Sequence, residues 1–134
     1  MIIKQISIFI ENRQGRLAEV TDILGKNDVN IRALSIADTT DFGILRIIVD
    51  DPDSVIEILK DNNITASTTS VLSVIVDDRP GGLAAVLKIL ADQGITVEYM
   101  YAYISRTEDK AFVVMRTEKE EEAEAILSGS GYSV

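Results

Sequence analysis

The sequence predicts an α/β protein of the α+β sandwich kind, made of two successive βαββαβ units, each a four-stranded antiparallel sheet with both helices on one side. Three observations predict it. Apolar spacing switches between a period near 2 and a period near 3.6 in the order strand, helix, strand, strand, helix, strand. That order then occurs a second time. The two halves also superpose residue by residue. At a shift of 66, Gly15-Arg16-Leu17-Ala18-Glu19-Val20 lies on Gly81-Gly82-Leu83-Ala84-Ala85-Val86, and Ile23-Leu24 on Ile89-Leu90. At a shift of 68, Ile58-Leu59 lies on Ile126-Leu127, because the second hairpin is longer.

Residues 3–10 are β-branched and half-alternating, a strand that stops at Glu11-Asn12-Arg13-Gln14-Gly15. From Arg16 to about Lys26, Leu17, Val20, Ile23 and Leu24 fall on one helical face. Val29 to Ala37 alternates weakly, Asp38-Thr39-Thr40-Asp41 is a turn by composition, and Phe42 to Val49 returns as the partner strand. Pro52 and the flanking Asp50, Asp51 and Asp53 suit the first turn of a helix whose stripe is Val55, Ile56 and Leu59. Residues 64–76 are β-prone without glycine or proline, so the last strand of one half is expected to run directly into the first strand of the next. In the second half Leu83, Val86, Leu87, Ile89 and Leu90 mark a helix. Ile95 to Ile104 and Ala111 to Arg116 form a hairpin around Ser105-Arg106-Thr107-Glu108-Asp109. Lys119 to Leu127 is the final helix, and Tyr132-Ser133-Val134 a short last strand. The architecture is therefore a duplicated ferredoxin-like fold, with domains expected at 1–69 and 70–134.

Composition narrows the function. The formal charge of -9, from 22 acidic and 13 basic residues without a basic cluster, disfavours nucleic acid and anionic membranes as partners. The glutamates at 118, 120, 121, 122 and 124 read as the wet face and first turn of a helix. With no cysteine, disulfides and thiolate chemistry are excluded, and with no histidine the usual neutral-pH base and commonest metal ligand are missing. No serine has a histidine to activate it, and the aspartates near Pro52 lack the spacing of a calcium loop, so neither catalysis nor a metal or cofactor is expected. The N-terminus does not resemble a signal peptide and no run reaches 18 apolar residues, which makes a cytoplasmic location the expectation.

The two glycine turns carry the chemistry. Each joins a strand to a helix, so Gly15, Arg16 and Leu17, and likewise Gly81, Gly82 and Leu83, offer unpaired amides at a helix N-terminus, where a small carboxylate is held well. Asn12 and Asp78 correspond and suit an ammonium group on the same ligand. Tyr99, Tyr101 and Tyr103 alternate onto one side of a strand, opposite Met100 and Ala102, as packing, a subunit contact or a pocket wall.

The chain resembles the ACT domain family, the small amino-acid-binding regulatory modules, and in particular stand-alone proteins of two such domains without an enzyme. Asp78-Arg79-Pro80-Gly81-Gly82-Leu83 matches the family's D-x-P-G-x-L turn, whereas Asn12-Arg13-Gln14-Gly15-Arg16-Leu17 keeps glycine and leucine but replaces aspartate and proline. The resemblance implies an amino acid held by the strand–helix turns at an interface between domains. Carried over, the ligand-binding residues are Asn12, Arg13, Gln14, Gly15, Arg16 and Leu17 in the first half and Asp78, Arg79, Pro80, Gly81, Gly82 and Leu83 in the second. It also implies a homodimer and, as partner, an enzyme of amino-acid metabolism. The expected function is a regulatory module whose ligand alters domain or partner packing. The alternative is a structural subunit that has lost its ligand.

Overall fold

A computed structural model describes residues 1–38, 41–105 and 107–134. Thr39, Thr40 and Arg106, which the sequence places in the two hairpin turns, lie outside the described residues. The elements follow in the order β1 (Ile2–Glu11), α1 (Arg16–Lys26), β2 (Ala33–Asp38), β3 (Phe42–Ile48), α2 (Pro52–Asp61), β4 (Ala66–Asp77), α3 (Gly82–Asp92), β5 (Val97–Ala102), β6 (Lys110–Thr117) and α4 (Glu120–Gly129). Two compact units result, Lys4–Thr69 (the first) and Ser70–Val134 with Met1–Ile3 (the second). The first unit thus has the βαββαβ order of the ferredoxin-like class, with β4 as its last strand, and the second repeats that order as far as α4, with three strands rather than the expected four. β4 carries residues of both units, so no linker separates the repeats.

In the first unit β3 pairs antiparallel with β1, Ile6 opposite Ile47, and with β2, Ala33 opposite Ile48. The Phe9 N–H donates to Thr65 O at 2.9 Å, bringing the approach to β4 alongside β1. Alternation turns Ile6, Ile8, Ile10, Leu45 and Ile47 toward the helices, where they meet Val20 and Leu24 of α1 and Val55 and Leu59 of α2. Asp51 caps α2, its side chain accepting from the Ser54 amide at 3.3 Å with Pro52 in the first turn.

β2 starts at Ala33 rather than at Val29. Asp28 takes a φ of 58° and the Val29 N–H donates to Leu24 O at 3.0 Å, so this backbone closes α1 instead of entering a sheet. Val29 and Ile31 still pack on the core, from the connection. The same event shortens β5 from its expected start at Ile95 to Val97. There Gly94 has a φ of 72° and the Ile95 N–H donates to Leu90 O at 2.9 Å.

In the second unit the strand order is β4-β6-β5. Leu72, Val74, Val76, Val113 and Met115 face Val86 and Leu90 of α3 and Ala123 and Leu127 of α4. The register slips between Val97 and Tyr99, after which Met100 packs on this core and the alternating Tyr99 and Tyr101 lie on the other face. Tyr103 stands beyond β5, its ring 6.0 Å from that of Phe112. Tyr132–Val134 form no strand: one bond, Ile75 N–H to Ser133 O at 3.0 Å, is the segment's link to β4, while Tyr132 and Val134 pack on the core. Among the described residues no helix is long and apolar enough to cross a membrane.

Candidate functional site

The α1 and α3 starts share one geometry. Gly15 and Gly81 each occupy the cap position with a φ of 83°, in the left-handed region that other residues enter at a cost of about 1–2 kcal/mol. The turns close through matching bonds. The Arg13 N–H donates to Glu11 O at 2.9 Å and the Arg79 N–H to Asp77 O at 3.0 Å. The Arg16 N–H donates to Arg13 O at 3.2 Å and the Gly82 N–H to Arg79 O at 3.0 Å. Each turn is also tied to its hairpin, by the Asn12 N–H to Asp41 O and the Asp78 N–H to Asp109 O, both at 2.9 Å.

Intrahelical bonding begins with Glu19 N–H to Gly15 O and Ala85 N–H to Gly81 O. A glycine cap has no side chain to reach the amides in between. Leu17 and Ala18, and Leu83 and Ala84, therefore present N–H groups with no acceptor among the described residues. Four partial positive charges at two helix starts are suited to carboxylate oxygens.

Both predicted turns are surface features. Asn12, Arg13, Gln14, Gly15 and Leu17 are exposed, as are Asp78, Arg79, Pro80, Gly81 and Leu83, while Arg16 is half-buried and Gly82 buried. The two leucines depart from the helical-face expectation. Leu17 is 37% and Leu83 39% exposed, because each sits in the first helical turn, ahead of the stripe that reaches the core.

The turns differ in what surrounds them. Beside the second lies a cavity of about 320 Å³ lined by Asp77, Asp78, Arg79, Asp109 and Lys110. Asp77 accepts from Lys110 Nζ at 2.6 Å, with Arg79 Nε at 3.6 Å; the lysine hydrogen bond above all holds its carboxyl below the usual carboxylate range. Gly82 is pressed against the strand end: a Cβ there would lie 2.1 Å from Asp77 O.

At the first turn Gly82 is replaced by Arg16 and Ala85 by Glu19. Arg16 reaches Glu11 at 3.4 Å and Glu19 at 3.3 Å, and Arg13 reaches the same pair at 3.2 and 3.5 Å, forming a neutral quartet over the strand end and the first helical turn. The Arg16 side chain is only 13% exposed, and its Nε is buried without a hydrogen bond despite the nearby carboxylate.

A family model described as an ACT domain pair matches residues 1–130. The chain belongs to the ACT domain pair family. A crystal structure of a protein from Bacteroides thetaiotaomicron is 41% identical, with 99% of this chain and 91% of that one covered and a TM-score of 0.92. The regulatory subunit of aspartate kinase from Thermus thermophilus, in a ligand-free form, has the same fold at 16% identity, 96% and 94% coverage and a TM-score of 0.67. The corresponding subunit from Thermus flavus shows it at 15% identity, 98% and 95% coverage and a TM-score of 0.65. Among curated proteins none matches the chain.

Within this ACT domain pair, sequence reasoning missed Asp109 and Lys110, which line the second cavity, and Glu11 and Glu19 at the first turn. The Asp77–Lys110 pair follows from strand register, where the two residues stand opposite each other. Register is legible only once β4 and β6 are known neighbours. Glu19, three residues after Arg16 on a helix, carried a local signal that spacing alone reveals.

Proposed function

We propose that the chain is a regulatory module which binds a free amino acid at its strand–helix turns and passes the binding on to a partner, an enzyme of amino-acid metabolism. The observation that carries the reading is the pair of glycine-capped helix starts, each leaving two amides for a carboxylate, at matching places in two ACT-like halves, 1–69 and 70–134. Beside the second turn the cavity adds charges of both signs, Asp77, Asp78 and Asp109 with Arg79 and Lys110, which suits a zwitterion. Membership of the ACT domain pair family supports it. So do structural neighbours described as regulatory subunits of aspartate kinase.

Regulation requires that the ligand bind one arrangement of the module and its partner more tightly than another. The first test is isothermal titration and thermal shift against each of the twenty amino acids. Heat release with a raised melting temperature is expected for one or a few of them. No response to any at millimolar concentration refutes the reading.

A further inference from the structure

We propose that residues 132–134 and Met1–Ile3 act end to end in the place of the second unit's fourth strand, and that the tail half is a latch which opens while the Met1 half stays bonded.

In the first unit the Phe9 N–H donates to Thr65 O at 2.9 Å. At the shifts that superpose the halves, 66 for the first strands and 68 beyond the hairpins, Phe9 lies on Ile75 and Thr65 on Ser133. The matching bond is present, Ile75 N–H to Ser133 O at 3.0 Å, so the tail enters the fourth-strand place in the register that the first unit uses. From one bonded pair to the next, an antiparallel ladder advances two residues on each side. Two residues back along β4 is Ser73, and the position opposite it is the one that would follow Val134. Met1 stands there: the Ser73 N–H donates to Met1 O at 2.8 Å and the Met1 nitrogen donates to Ser73 O at 3.0 Å. Met1–Ile3 accordingly belong to the second unit, and Ile2, Tyr132 and Val134 all pack on its core.

The two halves are held unequally. Met1 exchanges two backbone bonds with Ser73, and its ammonium lies 3.3 Å from Glu124 of α4, whereas the tail is tied to β4 by the single bond from Ile75. Because the halves are separate in sequence, the tail can lift without pulling Met1 from Ser73. Lifting bares the Ile75 amide and opens a cavity of about 270 Å³ whose walls include Met1, Tyr103, Phe112, Ser133 and Val134.

The test is amide hydrogen exchange of the full chain followed by NMR. The Ile75 amide is expected to be protected, yet to exchange about tenfold faster than that of Ser73. Deleting residues 132–134 is expected to abolish protection at Ile75 and to keep it at Ser73. A circular permutant with Val134 joined directly to Met1, and new ends in the exposed turn between Asn62 and Asn63, makes the strand continuous. It is expected to slow Ile75 to the rate of Ser73, and two glycines inserted at the joint are expected to lower its stability by breaking the register. Should a variant not fold, the wild-type rates decide alone. A wild-type Ile75 amide that exchanges freely, or as slowly as Ser73, overturns the latch. Ile75 protection that survives the deletion, or a glycine-extended joint more stable than the direct one, overturns the shared strand.

Discussion

Gly82 tests whether the second turn is shaped by a backbone approach that permits no side chain. Its substitution by alanine places a Cβ 2.1 Å from Asp77 O, 3.1 Å from Asp77 C and 3.6 Å from Asp77 Cβ. The first contact is nearly an ångström inside any real one, and the atom it meets is a carbonyl oxygen at the end of β4. That oxygen also accepts the Arg79 N–H at 3.0 Å, so relief must come from moving the start of α3 or breaking the turn. Overpacking of this kind costs about 1–3 kcal/mol, against a gain of up to about 1 kcal/mol from replacing glycine in a helix. A net loss of about 1–2 kcal/mol is expected for Gly82→Ala. Gly25→Ala in α1 is the control. It has nothing within 4 Å of the new methyl, and helix propensity alone makes it stabilising, by about 0.5–1 kcal/mol. Urea denaturation followed by circular dichroism reads both from the midpoint, with the slope checking that the transition keeps its shape. A Gly82→Ala chain as stable as the wild type refutes the close approach. Equal effects of the two substitutions refute the distinction between packed and open helix positions.

Gly15→Ala and Gly81→Ala meet no atoms, so only backbone strain at a φ of 83° opposes them; each is expected to cost about 1–2 kcal/mol in urea melts, with asparagine at the same positions costing less. Asp51→Ala removes the α2 cap that accepts from the Ser54 amide and is expected to lower stability by about 0.5–2 kcal/mol, whereas Asp51→Asn retains most of it. Lys110→Met removes the main cause of the lowered Asp77 pKa, and carbon-detected NMR titration is expected to show the Asp77 midpoint rising toward its ordinary value. Because the folded pKa is the lower one, the pair stabilises the wild type above the ordinary carboxylate range and that contribution fades as pH falls through the Asp77 midpoint. The variant should therefore lose its stability difference from the wild type in acid. An unchanged Asp77 midpoint in the variant rules out the lysine as the cause.

Local pattern made much of this molecule legible. The switch of apolar period places every helix, and α1, α2 and α3 each bury the residues expected of them, Val20 and Leu24, Val55 and Leu59, Val86 and Leu90. The same pattern started two strands too early, expected a last strand that does not form, and overstated the stripes of two helices. Val29 and Ile95 satisfy alternation, yet their amides return to the preceding helix, a choice made by the left-handed residues Asp28 and Gly94. Leu17 and Leu83 have the right period but stand a turn too early to reach the core.

What sequence alone determined is the duplication, the ferredoxin-like order of elements and the two glycine turns, since each depends on residues within a few positions of one another: spacing, propensity and a backbone sign that glycine adopts freely. What the tertiary structure decided is how the turns differ. The Asp77–Lys110 pair, the Cβ-excluding contact at Gly82 and the cavity at the second turn all arise where chain segments some five to thirty-odd residues apart are brought together by strand register and helix docking. Those distances are set by the packing of whole elements, which local spacing does not encode.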